Sequence, residues 1–148
     1  MIAAVRKGLR MVSLLSEMVW HGTTALVSIA APRPTEEFDE DRVLEVMESI
    51  LASGVWTRKV ALERNHFTIM DGHHRFEVAR RIHLKRLPCS LLHYDDVEVH
   101  SRREGIAFTK EEIVSRGLSG LLFPHKTTRH VFHKDDDLVC AIPLAVLR

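Results

Sequence analysis

Apolar residues along the chain fall into short blocks separated by charged or turn-forming residues, the pattern of a domain that mixes helices with short strands. Leu9, Val12, Leu15 and Val19 stand at helical spacing and predict an amphipathic helix over residues 4–20. The apolar run Ala25–Ala30, closed by Pro32 and Pro34, reads as a buried strand leading into a loop. Asp39 is placed to cap a following helix whose first turn is acidic. Its inner face would be Val43, Val46, Met47, Ile50 and Leu51, and Gly54 would stop it. Two strands are expected at 57–62 and 66–70, joined by the polar Glu63-Arg64-Asn65 turn.

A further helix should open directly after Met70 and run to about His83, with Phe76, Ala79 and Ile82 facing inward. The segment 87–94 reads as a strand, with Pro88 near its start where proline is tolerated. Thr109 and Glu112 form a capping-box pair ahead of a short helix ending near Gly117. The rest past Tyr94 reads as loop and strand with little regular structure. The expectation is one α/β (α+β) domain, a small mixed sheet flanked by helices, over 25–148, preceded by a helical extension over 1–24. That extension is expected to pack on its own domain, with a homodimer contact as the alternative.

Composition narrows the classes. With 45% hydrophobic residues, 28% charged residues and a net charge of +1, the 148-residue chain can bury a core but shows no basic excess for nonspecific nucleic-acid binding. The pairs Arg80-Arg81 and Lys85-Arg86 read as a solvated helix face. Cys89 and Cys140 lie in apolar contexts and are expected to be free buried thiols of a reducing compartment. No stretch reaches the roughly 18 to 20 apolar residues of a membrane span. Arg6, Lys7 and Arg10 precede an apolar run, but Glu17 and His21 interrupt it, so cytoplasm is expected over secretion.

The candidate chemistry centres on Asp71-Gly72-His73-His74-Arg75. A strand ending in Asp-Gly turns sharply, and the next residues occupy a helix N-terminus whose free N–H groups attract phosphate. His73, His74 and Arg75 add side-chain donors, while Asp71 can hold a magnesium ion or accept a proton. Equally, Asp71 can simply cap the helix, with the histidines as polar surface. The residues alone leave both readings open. No thiol or acidic motif at zinc-like spacing accompanies the histidines, so zinc is not expected.

Glu36 precedes the Asp39 helix and is either an exposed carboxylate or, if brought opposite Asp71, the second acid of a kinase-like site. The run Lys126-Thr127-Thr128-Arg129-His130 is either a polar loop or a phosphate- or carboxylate-binding element. Trp56 is expected in the core, with stacking on a nucleotide base as the alternative. There is no Walker-type loop, nucleophile-elbow serine or Cys-X-X-Cys.

The order of these elements resembles the ParB/sulfiredoxin-type domain. Pro34-Thr35-Glu36 precedes a helix and a glycine, two strands run into Asp-Gly-His-His-Arg, and a helix and a Leu-Pro strand follow. Together with Lys126–His130, the pattern is similar to the free-serine kinases of that superfamily over roughly residues 25–132. The resemblance implies phosphorylation of the hydroxyl of free L-serine to O-phospho-L-serine, with ATP or ADP and Mg2+ as cofactors. It implies Glu36 and Asp71 as catalytic acids, Asp71 as the magnesium contact, and Gly72, His73, His74 and Arg75 as the phosphate-binding turn. It also implies Thr128 and His130 at the substrate, with Lys126, Thr127 and Arg129 in support.

Many relatives carry a tryptophan where this chain has His100-Ser101-Arg102-Arg103. Sulfiredoxin chemistry is not expected, because His73 stands where that enzyme has its cysteine. A ParB-like nucleotide-binding regulator, or a DNA-associated protein without kinase activity, is the competing class.

Overall fold

The computed structural model describes residues 18–133 and 138–148. Most of the expected N-terminal helix therefore lies outside the described residues. Its last turn is corrected: Val19–His21 is a strand, β1, which turns at Gly22 (φ 60°) and pairs antiparallel with β2, Thr24–Ser28. Residues 19–24, assigned to the extension from sequence, thus belong to the sheet, and Val19 is exposed rather than inward.

Helix α1 spans Glu40–Ser53 and forms for the local reasons expected. The Asp39 side chain accepts from the N–H groups of Asp41 and Arg42, and Gly54 (φ 70°) closes the last turn in the left-handed region. Val43 and Ile50 are buried, and Val46 and Met47 pack against the core. Leu51, expected on that face, is 49% exposed.

The strand expected at 57–62 is two strands. Val55–Arg58 (β3) pairs with Val139–Pro143 (β9) in a separate ribbon, whereas Val60–Glu63 (β4) lies inside the main sheet. The chain changes sheets at buried Lys59, whose N–H donates to Leu138 and whose carbonyl accepts from Arg75. Trp56 is wholly buried in the core and donates Nε1–H to the Arg58 carbonyl at 2.7 Å.

Buried Glu63 organises the next turn by accepting from the N–H groups of Asn65 and His66. After it, β5 (Ile69–Asp71) leads into α2 (His73–Arg81), followed by β6 (Arg86–Leu92). The main sheet has the order β1-β2-β6-β4-β5, with β4 and β6 parallel and the other pairs antiparallel. β4, between β6 and β5, is buried along its whole length, and its Val60 and Leu62 meet Ile69, Leu87 and Val78 in the core. Helices α1 and α2 pack together, and Arg81 joins them through both Glu40 oxygens (2.7 and 2.6 Å) while also pairing with Glu77 of its own helix.

Past Tyr94 the chain is more regular than its composition suggested. A 3-10 turn (Tyr94–Asp96), β7 (Val97–Ser101), α3 (Lys110–Ser119), β8 (Thr128–Phe132), β9 and α4 (Leu144–Leu147) complete the order. β7 and β8 form their own antiparallel ribbon, with Ser101 opposite Thr128. Thr109 caps α3 as expected, and the helix runs past Gly117 to Gly120. Cys89 and Cys140 are free, and burial pushes the Cys89 thiol well up. No helix among the described residues is long and apolar enough to cross a membrane.

Gly117 sits inside α3 because nothing larger fits. A Cβ there would come within 2.4 Å of Thr68 Cγ2 and 3.2 Å of Thr35 Cγ2, two fully buried β-branched side chains. Gly117→Ala is expected to cost about 1–3 kcal/mol by urea denaturation, and adding Thr68→Ala should recover part of that loss.

Candidate functional site

Three segments distant in sequence build the site. The first is the turn from β5 into α2. Gly72 has φ 109°, and a Cβ there would lie 2.9 Å from Val60 Cγ2, so only glycine fits. No side chain caps α2, which leaves the first-turn N–H groups of His73, His74 and Arg75 as a concentrated positive end. Arg75 donates to Asp71 Oδ2 at 3.0 Å and to the Lys59 carbonyl at 2.8 Å, and Arg58 stands 4.0 Å from the same Asp71 oxygen. Asp71 therefore does not cap the helix. It is held at the mouth of the turn, partly exposed, with Oδ1 free of hydrogen bonds among the described residues.

The second segment is the extended stretch 33–37. It bridges to Thr68 through Arg33 and to Phe123 through Glu36. Glu36 is only 8% exposed. Its Oε1 accepts the N–H groups of Thr127 (2.6 Å) and Thr128 (2.9 Å), and its Oε2 accepts the Thr128 hydroxyl at 3.2 Å.

The third is the Lys126–His130 run. Lys126 takes a left-handed φ of 57°, and the chain past it turns both threonine N–H groups onto Glu36. Strand alternation then sorts the run. Lys126, Thr128 and His130 line a small cleft, Thr127 spends its hydroxyl on the Pro124 carbonyl, and Arg129 is exposed. His130 Nε2 meets the Tyr94 hydroxyl at 3.0 Å, and its buried Nδ1 has no partner among the described residues.

Two clefts open on this arrangement. One of about 400 Å³ lies between α1, β3 and the Gly72 turn, lined by residues including Arg42, Trp56, Arg58 and Arg75. The other, about 130 Å³, is lined by Glu36, Glu37, Lys126, Thr128, His130 and Arg102 among others. Asp71, Gly72 and His74 line both. The clefts thus meet at the partly exposed carboxylate and the open helix end.

The histidines differ from expectation in one respect. Nε2 of His73 accepts from the N–H groups of Thr35 (3.1 Å) and Glu36 (3.2 Å), and Nε2 of His74 accepts from Asp39 N–H at 3.1 Å. The Nδ1–H is therefore the one donor each ring can offer a cleft. Burial, with His130 adding to it against Asp71, holds His73 down to about 3. Burial also holds His130 down to about 4, opposed by Asp71 and aided by Arg102 and Lys110. His74 is lowered as well, by burial and then by Arg42. All three are neutral near neutral pH.

Sequence reading missed Arg102 and Tyr94 as neighbours of this site. Arg102 reaches the small cleft because its N–H donates to the Thr127 carbonyl at the end of the β7–β8 ribbon. The one local signal was the alternation of Val97 and Val99 across five residues, too short to mark a ribbon. Among the described residues no cluster of three or more His, Cys, Asp or Glu side chains is arranged to hold a metal.

An uncapped helix N-terminus thus stands near a buried, backbone-held glutamate in a small α/β domain. The ParB N-terminal domain family matches residues 17–103, more than half the chain, and the chain belongs to that family. It is similar to the ADP-dependent L-serine kinase of Thermococcus kodakarensis, with 28% identity over 90 residues, covering 57% of this chain and 37% of that protein. The match thus spans little more than a third of the curated relative's length. A free serine kinase solved in complex with AMP has a TM-score of 0.76 at 16% identity, covering 84% of this chain and 93% of that one. SbnI from Staphylococcus aureus, truncated at its C-terminus, has a TM-score of 0.74 at 13% identity, covering 91% and 90%. These likenesses establish the fold.

The depressed histidines make stability depend on pH. His73 and His130 are neutral in the fold down to about 3 and 4, whereas their unfolded forms protonate near 6.5. Their contribution is therefore complete above pH 6.5 and is lost as pH falls toward the folded values, at up to about 1.4 kcal/mol per unit for each ring. Urea denaturation between pH 7 and 4.5 should show this decline, and His130→Gln should flatten it by roughly half.

Proposed function

We propose that this chain is a nucleotide-dependent kinase of free L-serine, transferring a terminal phosphoryl group to the side-chain hydroxyl to give O-phospho-L-serine. The observation that carries the reading is the meeting of the two clefts at Asp71 and the open α2 N-terminus, with Glu36 fixed in the smaller one. The kinase relatives support it, since one is named for ADP-dependent L-serine phosphorylation and another was solved with AMP. No described feature favours DNA binding.

In this reading the nucleotide occupies the larger cleft, with its phosphates on the N–H groups that follow Gly72. Serine occupies the smaller cleft beside Thr128 and His130, with Lys126 and Arg102 as cations for its carboxylate. Glu36 Oε1 is fully used by two backbone donors, which leaves Oε2 as the oxygen able to orient the serine hydroxyl and take its proton. The serine oxygen then bonds to the terminal phosphorus as the bond to the leaving nucleotide breaks, giving ADP from ATP or AMP from ADP.

Asp71 fits a magnesium ion carried by the nucleotide. It offers one free carboxylate oxygen beside the phosphate site, and such ions take one or two carboxylates plus phosphate and water. When bound, the ion would neutralise charge developing on the phosphoryl oxygens. Arg75 and Arg58 hold the Asp71 carboxylate in place for that contact.

Incubation with L-serine, magnesium and either ATP or ADP should yield O-phosphoserine by mass spectrometry. Absence of product with both nucleotides across a panel of hydroxy amino acids would overturn the reading, and nucleotide binding without turnover would favour a regulator. Asp71→Asn and Glu36→Gln should each lower kcat at least about a hundredfold, the scale of a lost acid–base or charge-stabilising group. A near-normal rate in either variant removes that residue from the chemistry.

A further inference from the structure

The two histidines of the turn have a role that the phosphate-site reading does not use. We infer that His73 and His74 are positioning residues that act through Glu36 and Arg42: their imidazoles clamp the backbone of residues 35–39 as neutral hydrogen-bond acceptors. The kinetic part of this inference rests on the kinase reading, while its structural part does not.

The geometry leaves little freedom in the proton placement. Backbone N–H groups can only donate, and two of them, from Thr35 and Glu36, converge on His73 Nε2 at 3.1 and 3.2 Å. That nitrogen must therefore carry its lone pair, and the ring proton sits on Nδ1. The Thr35 hydroxyl, 3.2 Å from the same nitrogen, donates to the Ile69 carbonyl at 3.1 Å. His74 repeats the arrangement with Asp39 N–H at 3.1 Å. Adjacent helix residues diverge by about 100°, and here the divergence spreads two rings along one strap, seizing it at 35–36 and again at 39.

What the strap carries gives the clamp its consequence. Glu36 has its own N–H bound by His73, whose Nδ1 also stands 3.9 Å from Oε2, and its carboxylate is bound by Thr127 and Thr128. Asp39 caps α1, whose first turn presents Arg42 to the larger cleft. One turn therefore has two uses. Its first N–H groups stay free of a side-chain cap, and its two imidazoles reach back to fix the acid and the start of α1. A displacement of about 1 Å in a reacting group can cost about a hundredfold in rate, so a side chain that only fixes the backbone of the acid can still govern turnover.

Two measurements test this. At pH 7.5, long-range proton–nitrogen correlation spectra of the full chain should show both rings in the Nδ1–H tautomer. Protonation of His73 at Nε2 would overturn the clamp whatever the enzyme does. For turnover, His73→Leu removes the acceptor, whereas the Gln side chain places its Oε1 near the position of the imidazole Nε2. His73→Leu should lower kcat at least about thirtyfold with the nucleotide KM within about threefold, and His73→Gln should return to within about fivefold of the parent.

In a Glu36→Gln background, His73→Leu should cost less than about threefold more, because its effect passes through the acid already removed. Equal losses in the Leu and Gln variants, or a loss confined to nucleotide binding, would overturn the positioning role and return His73 to the phosphates. If the parent protein turns over no hydroxy amino acid, the kinase reading falls and the tautomer alone decides the clamp.

Discussion

One carboxylate oxygen, Glu36 Oε1, accepts the N–H groups of two residues more than ninety positions away, Thr127 and Thr128. The rest of the site depends on that contact. An acid in a buried position needs donors, or it costs several kcal/mol. Backbone N–H groups are the stiffest donors a protein has, because they are aimed by the course of the chain rather than by a rotamer. The left-handed Lys126 starts that course, and the Phe123 bridge holds the strap in line for it. Without this pairing the Gly72 turn and the β8 strand would be two unrelated surface features.

The same economy recurs around Asp71. Its charge is balanced by Arg75 and Arg58, yet Arg75 also binds the Lys59 carbonyl at the point where the chain passes from one sheet to another. A single guanidinium thus joins a local change of direction in the fold to the orientation of a proposed catalytic group. Partly exposed ion pairs contribute little net stability. Their worth here lies in fixing where the carboxylate points.

What could be read from sequence was what is encoded locally. Asp39 and Gly54 bracket α1, Thr109 starts α3, and Asp-Gly before a helical pattern marks the turn, each through chemistry within a few residues. What escaped was set by distant partners. The strand expected at 57–62 divides at Lys59 because Leu138 and Arg75 bind its backbone on either side. β1 was taken for the end of a helix because its three residues carry both periodicities, and only Gly22 hinted at a hairpin. The encounter of Glu36 with Thr127 and Thr128 has no local trace, and resemblance to a family was the sole route to setting those residues side by side.

The β7–β8 ribbon pairs with no strand of the five-stranded sheet. It nonetheless delivers Thr128 and His130 to the small cleft, with Arg102 just beyond its end. The family match ends at residue 103, and Lys126, Thr128 and His130 of that cleft lie beyond it. The ribbon is nonetheless tied to the sheet by packing: Val97 of β7 clusters with Ala61 of β4 and Met70 of β5, and Phe132 of β8 packs against that cluster. The face that carries Thr128 and His130 also carries Phe132, so the small cleft and the core beside β4 and β5 share one surface and cannot be altered independently.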